Sequence, residues 1–260
     1  MNESVTVRRT KSWHFLFTEL VKRDLKKKYK GSLLGMGWSI LNPLLTLFVL
    51  RLVFMRFFGR TMPHYTIYLY CGNLVFTYFN ESTRVGMGSL LNNASIFTKI
   101  NVPKELFLLA RNVQTLINFC LSLVVFFLFC IQDRIPFTWK MLLLIYPIAL
   151  LVLFNIGVSG ILSALYVFFR DVQYLWSIFT MLLMYVSAVF YTIDMFPPEQ
   201  QKLFLFNPLF VFILYFRKVV LYGQIPELWH HLLLLGYTLA AFGAGWLVYR
   251  KYDTQFLYYL

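Results

Sequence analysis

A chain of 260 residues that is 59% hydrophobic, 20% aromatic and only 13% charged has about half the charged fraction of a soluble domain, which excludes an ordinary water-soluble globule. Its 24 Lys and Arg against 11 Asp and Glu, a formal +13, would suggest a nucleic-acid partner in a soluble protein. Here the cations flank apolar runs, so orientation in a membrane explains them better and no nucleic acid is expected.

The first element is a basic helix over residues 12–30. Trp13, Leu16, Phe17, Leu20, Val21 and Leu25 recur at helical spacing, while Lys22, Arg23, Lys26, Lys27 and Lys30 take much of the remaining surface. This pattern predicts an amphipathic helix on the inner membrane face, each cation contributing ~1 kcal/mol beside an anionic leaflet. A solvated basic tail that only sets topology is the alternative. Gly31 permits a bend into the first apolar run. That run contains Gly35, Gly37 and Pro43 and has no small-residue cleavage pattern behind it, which argues against a removed signal peptide.

Six spans are predicted, at 33–57, 65–90, 106–131, 141–168, 172–191 and 231–250, mostly near the ~20 residues that cross a bilayer as a helix. With the N-terminus inside, sixteen of the 24 Lys and Arg fall on inner segments. The stretch LFLFNPLFVFILYF is nearly long enough to be a seventh span, but Asn207-Pro208 interrupts it and Arg217-Lys218 follow. A crossing there would also bring Arg250-Lys251 out on the wrong side. Residues 192–226 are therefore predicted as two short re-entrant helices in the outer leaflet, the first opened by Pro197-Pro198-Glu199. The fold class is all-α, integral membrane, in a single domain over 1–260.

Chemistry inside the spans is sparse. Of the acids only Glu81 falls well within a span, and Arg84 lies one turn on, so a structural pair is favoured over a site. Arg51 sits about eighteen residues into the first span; it either snorkels outward with Arg56 and Arg60 or faces a wet or anionic path. Cys71, Cys120 and Cys130 lie in apolar runs and read as packing residues. His14, His64, His230 and His231 lie near span ends with no HExxH or spaced ligand set. There is no GxxxxGK[ST] phosphate loop, and the carboxylates of an ion-driven transporter are few. No catalytic, metal or cofactor site is expected in this chain, and any path through it needs an outside source of energy.

Residues 92–107, NNASIFTKINVPKELF, form a candidate entry for that energy. The segment predicts an inner loop at 92–105 with a short helix that offers Phe97 and Lys99 to a partner, with Pro103 in the first turn of the next helix before Lys104-Glu105. A simple hairpin is the alternative. The second inner loop, FFRDVQ at 168–173, holds Arg170 as an interfacial anchor and Asp171 as a helix-start acid.

The order of a basic amphipathic helix, LLGMGWSILNPLL, a loop with Lys-x-x-x-Pro, FFRDVQ, and an outer FPPEQQ…FNPL…R insertion before the last span resembles, over essentially the whole chain, the membrane subunit of the ABC-2 type polysaccharide exporters, the permeases of O-antigen, capsule, rhamnan and teichoic acid export. The resemblance implies that Lys22, Lys26, Lys27 and Lys30 belong to an elbow against an ATPase. Phe97, Lys99, Pro103 and Lys104 would sit at the coupling contact, and Arg170-Asp171 in the family's second inner loop. Pro197, Pro198, Asn207, Pro208 and Arg217 match the paired outer helices that close the exit. It further implies two copies of an ABC ATPase, which would hold the ATP and Mg, a polyprenyl-diphosphate-linked glycan as cargo, and a bacterial cytoplasmic membrane with both termini inside. Six spans are too few to surround a wide path, so a homodimer with the path on its two-fold axis is the economical assembly. For that path the candidates are Arg51, Tyr68, Glu81, Arg84, Tyr191 and Arg217, with Arg51 and Arg217 meeting a phosphate-containing group. The aromatic stretch 65–79 suits a glycan-lined slot, lipid-facing packing being the other role for its rings. The alternative from another class is an integral membrane transferase acting on polyprenyl-linked glycans, with Asp171 or Asp194 as its carboxylate.

Overall fold

The computed structural model describes residues 2–58, 63–97, 99 and 102–259; it is helical throughout, with no strand among the described residues. The main elements are α1 (Asn2–Tyr29), α2 (Trp38–Phe58), α3 (Tyr65–Met87), α4 (Ala94–Phe97), α5 (Glu105–Gln132), α6 (Ile145–Phe168), α7 (Val172–Val186), α8 (Pro198–Leu203), α9 (Pro208–Val220), α10 (Leu228–Tyr252) and α11 (Phe256–Tyr259). Among the described residues, α5, α6 with the 3-10 turn before it, and α10 are long and apolar enough to cross a membrane. Two shorter apolar helices, Trp38–Phe54 and α7, accompany them.

Local sequence chemistry sets several boundaries. Gly31, at φ 83°, takes the left-handed conformation that separates the basic helix from the first apolar one. The first apolar helix starts only at Trp38, five residues later than expected. At the other end of the chain, Pro197 precedes α8, Pro198 occupies its first turn, and Glu199 places an acid there. Asn207 then ends the run as expected: its side-chain oxygen accepts from the Leu209 amide at 3.0 Å, Pro208 opens α9, and the two helical segments bend by 110°. The fifth apolar helix stops at Val186 rather than 191, because Ala188 is left-handed at φ 50°.

Two apolar cores hold these elements together. The larger runs through α3, α5, α6 and α9 and includes Tyr70, Phe126, Phe210, Phe212, Tyr215 and Phe216, all 1% exposed or less. The smaller lies at the α1 end, where Leu20 meets Leu90, Phe107, Val167, Tyr249 and Phe256. Between them α6 and α10 cross at backbone contact: a Cβ on Gly245 would lie 2.5 Å from the Gly157 carbonyl oxygen, and one on Gly157 would lie 2.5 Å from Ala241 backbone atoms.

Candidate functional site

The feature with functional content is the open face of α3. Of its 23 residues all are buried except Thr66, Asn73, Thr77, Asn80, Glu81, Arg84 and Val85, and six of those seven are polar. At 3.6 residues per turn the six fall within an arc of about 100°, and from Thr66 to Arg84 the stripe climbs about 27 Å, close to the ~30 Å of a bilayer core. An apolar helix in lipid would show the reverse, hydrocarbon outward. Neighbouring helices extend the stripe sideways. Asn42 and Thr46 of α2 and Ser122 of α5 line a small groove of ≈ 50 Å³ with Asn73, Thr77 and Glu81. Thr77 Oγ1 points at Asn73 Oδ1, 3.4 Å away.

The rings of the 65–79 stretch go the other way. Tyr65, Tyr68, Tyr70, Phe76, Tyr78 and Phe79 are each 6% exposed or less, so they fill the core instead of forming an open slot. The hydroxyls of Tyr65 and Tyr68 donate to the Phe190 and Tyr191 carbonyls at 2.7 and 2.8 Å, and Tyr78 stacks on Phe119 at 4.3 Å. Burial of large rings outweighs the hydroxyl-seeking tendency, helped by the backbone carbonyls that accept from Tyr65, Tyr68 and Tyr70, whereas the buried Tyr78 hydroxyl has no hydrogen-bond partner among the described residues.

Glu81 does not pair with Arg84. Its Oε1 lies 2.5 Å from Lys28 Nζ at the end of α1 and accepts from Asn118 Nδ2 at 3.1 Å, while Arg84 is exposed. Lys28 wins because α1 packs along α5 and its last turn brings an ammonium to Glu81 that the local sequence does not reveal. Arg51 is exposed on α2 among Phe48, Val49 and Leu52. The side chain of Arg56, and Arg60 as a whole, lie outside the described residues.

At the α1 end, Lys22, Lys26, Lys27 and Lys30 are exposed, Lys22 also paired with Glu19 at 2.9 Å. The 92–105 segment contains a 3-10 turn, Leu91–Asn93, and α4; Lys99 is exposed beyond it, and the side chain of Phe97 lies outside the described residues. Pro103 stands two residues before α5 and is not in its first turn. Lys104 does not face outward: it is 7% exposed, its Nζ 2.7 Å from Asp253 Oδ1 and also donating to the Asp253 carbonyl, with the Phe256 ring 5.8 Å away. The Asp253 side chain supplies the charge that a buried ammonium requires, so of the two lysines expected in this coupling segment only Lys99 is open to a partner. Arg170 lies 5.7 Å over the Tyr166 ring, and Asp171 immediately precedes α7, both exposed.

At the opposite end Arg217 is a fastener. It is 3% exposed, donates to the Ala188 and Val189 carbonyls at 2.9 Å each and more weakly to Tyr68 O at 3.4 Å, and its guanidinium stacks on the Tyr68 ring at 3.4 Å. It thereby satisfies the Ala188 and Val189 carbonyls left free just beyond the end of α7. One face of this arrangement borders an open cleft of ≈ 340 Å³ shared with Asp194, Lys218, Tyr222 and Gln224. Tyr191 is half-buried, its hydroxyl donating to the Tyr185 carbonyl at 2.8 Å. Pro197 and Pro198 are exposed at the start of α8, whereas Asn207 is buried with Nδ2 on Ser187 Oγ at 2.9 Å. Asp194 is exposed, and no group of three or more His, Cys, Asp or Glu that could hold a metal occurs among the described residues.

Sequence reasoning overlooked Asp24 and the α3 stripe. An acid among six cations was the signal for the first, and a period of 3.6 in the polar residues of a span was the signal for the second.

Membrane-length apolar helices, a broken pair and one helix with a polar open face are the marks of an integral membrane protein. Comparison with known proteins agrees: residues 16–221 match the family described as ABC-2 type transporter, and the chain belongs to it. Among its relatives is the O-antigen export system permease protein RfbA of Klebsiella pneumoniae, 30% identical over 81% of this chain and 82% of that one. RfbA of Myxococcus xanthus is 26% identical (85% and 86%), and the polysialic acid transport protein KpsM of Escherichia coli 23% identical (92% and 93%).

Proposed function

We infer that this chain is the membrane-spanning permease of an ABC transporter that exports a cell-surface polysaccharide, carried on a polyprenyl diphosphate, and is driven by a separate ATPase. The observation that carries the inference is the polar face of α3, since half-buried Asn and Glu beside exposed Thr77 and Arg84 in a membrane-embedded helix demand water or a polar cargo beside them. A hydroxyl-rich chain can exchange hydrogen bonds with such a wall where water otherwise would. The names of the relatives, O-antigen and polysialic acid transport, support a glycan as that cargo.

In this arrangement α2, α3, α5, α6, α7 and α10 are the six spans of a cytoplasmic-membrane protein with both termini inside. The bent pair α8 and α9 re-enters from the outer side as a gate. Two copies of the chain face their α3 stripes toward a common path. Lys99, the exposed lysines of α1 and the Arg170-Asp171 turn meet the ATPase, which binds the ATP and Mg; its closure drives the cycle. Teichoic acid fits the same path as a hydroxyl- and phosphate-bearing cargo.

Cysteine scanning of α3 tests the path. In a Cys120→Ser complex reconstituted with its ATPase, cysteines at 66, 73, 77, 80 and 84 are expected to react with a membrane-impermeant methanethiosulfonate, and cysteines at buried positions 69, 75 and 79 are not. Uniform silence along the stripe, or protection of none of its positions by a lipid-linked polysaccharide, would overturn the assignment.

A further inference from the structure

Apolar packing is only part of what holds α1 to the rest of the chain. Asp24, 2% exposed, lies 2.8 Å from Arg23 Nη2 and 3.3 Å from Arg111 Nε on α5. The same Arg23 guanidinium donates to Asn93 Oδ1 at 2.7 Å, and Asn93, itself 1% exposed, ends the 3-10 turn that leads directly into α4. Five residues further along α1, about 7.5 Å at 1.5 Å per residue, Lys28 reaches Glu81 at 2.5 Å. The next residue, Tyr29, donates to Asn118 Oδ1 at 2.8 Å and bonds Ser39 beside the start of α2. One rigid helix therefore touches the 92–105 loop at one point and the acid of the α3 stripe at another.

The two attachments differ in kind. Asp24 is shut away from water, and a charge held there stays with its partners. Lys28 and Glu81 are about a third exposed, at 34% and 29% of their side-chain surface, so water can replace either partner. Glu81 also has a second cation in reach of its own helix: Arg84, one turn on, is exposed and has no ion pair among the described residues. On the reading of the chain as an exporter, we propose that α1 is a lever, seated on α5 through Asp24 and Arg111 and tied to the loop through Arg23 and Asn93, and that the Lys28–Glu81 pair is the inner gate of the path. Displacement of the loop withdraws Lys28, Glu81 turns to Arg84, and the inner end of the polar stripe opens to cargo.

The test uses Lys28→Cys with Glu81→Cys in a Cys120→Ser background, because Cys120 is the exposed one of the three native thiols and Cys71 and Cys130 are buried. The full complex is reconstituted in vesicles with lipid-linked polysaccharide. With the thiols free, the gate is unlatched and more ATP is expected to be hydrolysed per chain exported, at least threefold above wild type. Bridging them with a reversible bis-methanethiosulfonate is expected to stop export, and reduction to restore it. The charge-exchanged double variant, Lys28→Glu with Glu81→Lys, is expected to return the ATP-to-export ratio toward wild type. Equal export by bridged and free forms, or a wild-type ratio in the unlatched form, overturns the gate. If the wild-type complex itself exports no polysaccharide, the fault lies in the export assignment; if the wild type exports and the bridged form does so equally, the fault lies in the gate alone.

Discussion

Replacing Arg217 separates a structural role from a cargo role at the position the sequence marks as a candidate for both. In Arg217→Met the Ala188 and Val189 carbonyls each lose a donor at 2.9 Å, and the Tyr68 ring loses the guanidinium stacked 3.4 Å from its centre. Two buried acceptors left unpaired cost about 1–3 kcal/mol each, and loss of a desolvated cation–π contact about 2 kcal/mol. Against this, methionine removes the burden of keeping a charge 3% exposed, which returns several kcal/mol. The net expectation is a loss of about 3 kcal/mol, roughly a hundredfold in the folded-to-unfolded ratio. Arg217→Lys, able to reach one carbonyl at a time, should fall between. The assay is the fraction of monodisperse protein recovered from detergent across a temperature ramp, with export measured on the same preparations. Gly72→Ala is an independent probe of the same junction, since its Cβ would lie 2.9 Å from Arg217 Nη2 and 3.1 Å from Val189 Cα. Wild-type heat resistance in Arg217→Met together with abolished export would refute the fastener and return the guanidinium to the cargo.

Other substitutions probe the remaining contacts. Asp24→Asn strips the buried carboxylate from Arg111 and Arg23 and should cost about 3 kcal/mol, seen as loss of assembled protein, with partial recovery in Asp24→Glu. Gly245→Ala, whose Cβ would sit 2.5 Å from the Gly157 carbonyl, should force α6 and α10 apart and lower stability by about 2 kcal/mol or more, measured by the same temperature ramp. Lys104→Met should cost only about 1 kcal/mol, because Asp253 is 52% exposed; limited proteolysis should then cut near α11 sooner than in wild type. Asn73→Leu with Thr77→Leu replaces polar atoms on the open face of α3 and should leave stability within about 0.5 kcal/mol while lowering export severalfold; unchanged export would count against a wet α3 flank.

The sequence by itself determined much of what neighbours along the chain govern, though not the late start of α2, the place of Pro103 or the early stop of α7. The apolar runs, the basic helix, the left-handed Gly31, the proline start of α8 and the break at Asn207-Pro208 all follow from steric and hydrogen-bonding terms within a few residues. The polar period of α3 was equally present, though its meaning depended on which face the other helices would cover. Only the tertiary structure decided that. Arg217 finds its acceptors 28, 29 and 149 residues away, and Lys28 finds Glu81 at a separation of 53. No local preference favours one such partner over another: Glu81 lies one turn from Arg84 and still pairs with Lys28. Choices of this kind are made when helices dock, because close packing of side chains sets their rotation and depth, and a rotation of one helix by a single residue would turn the open polar face of α3 toward the core.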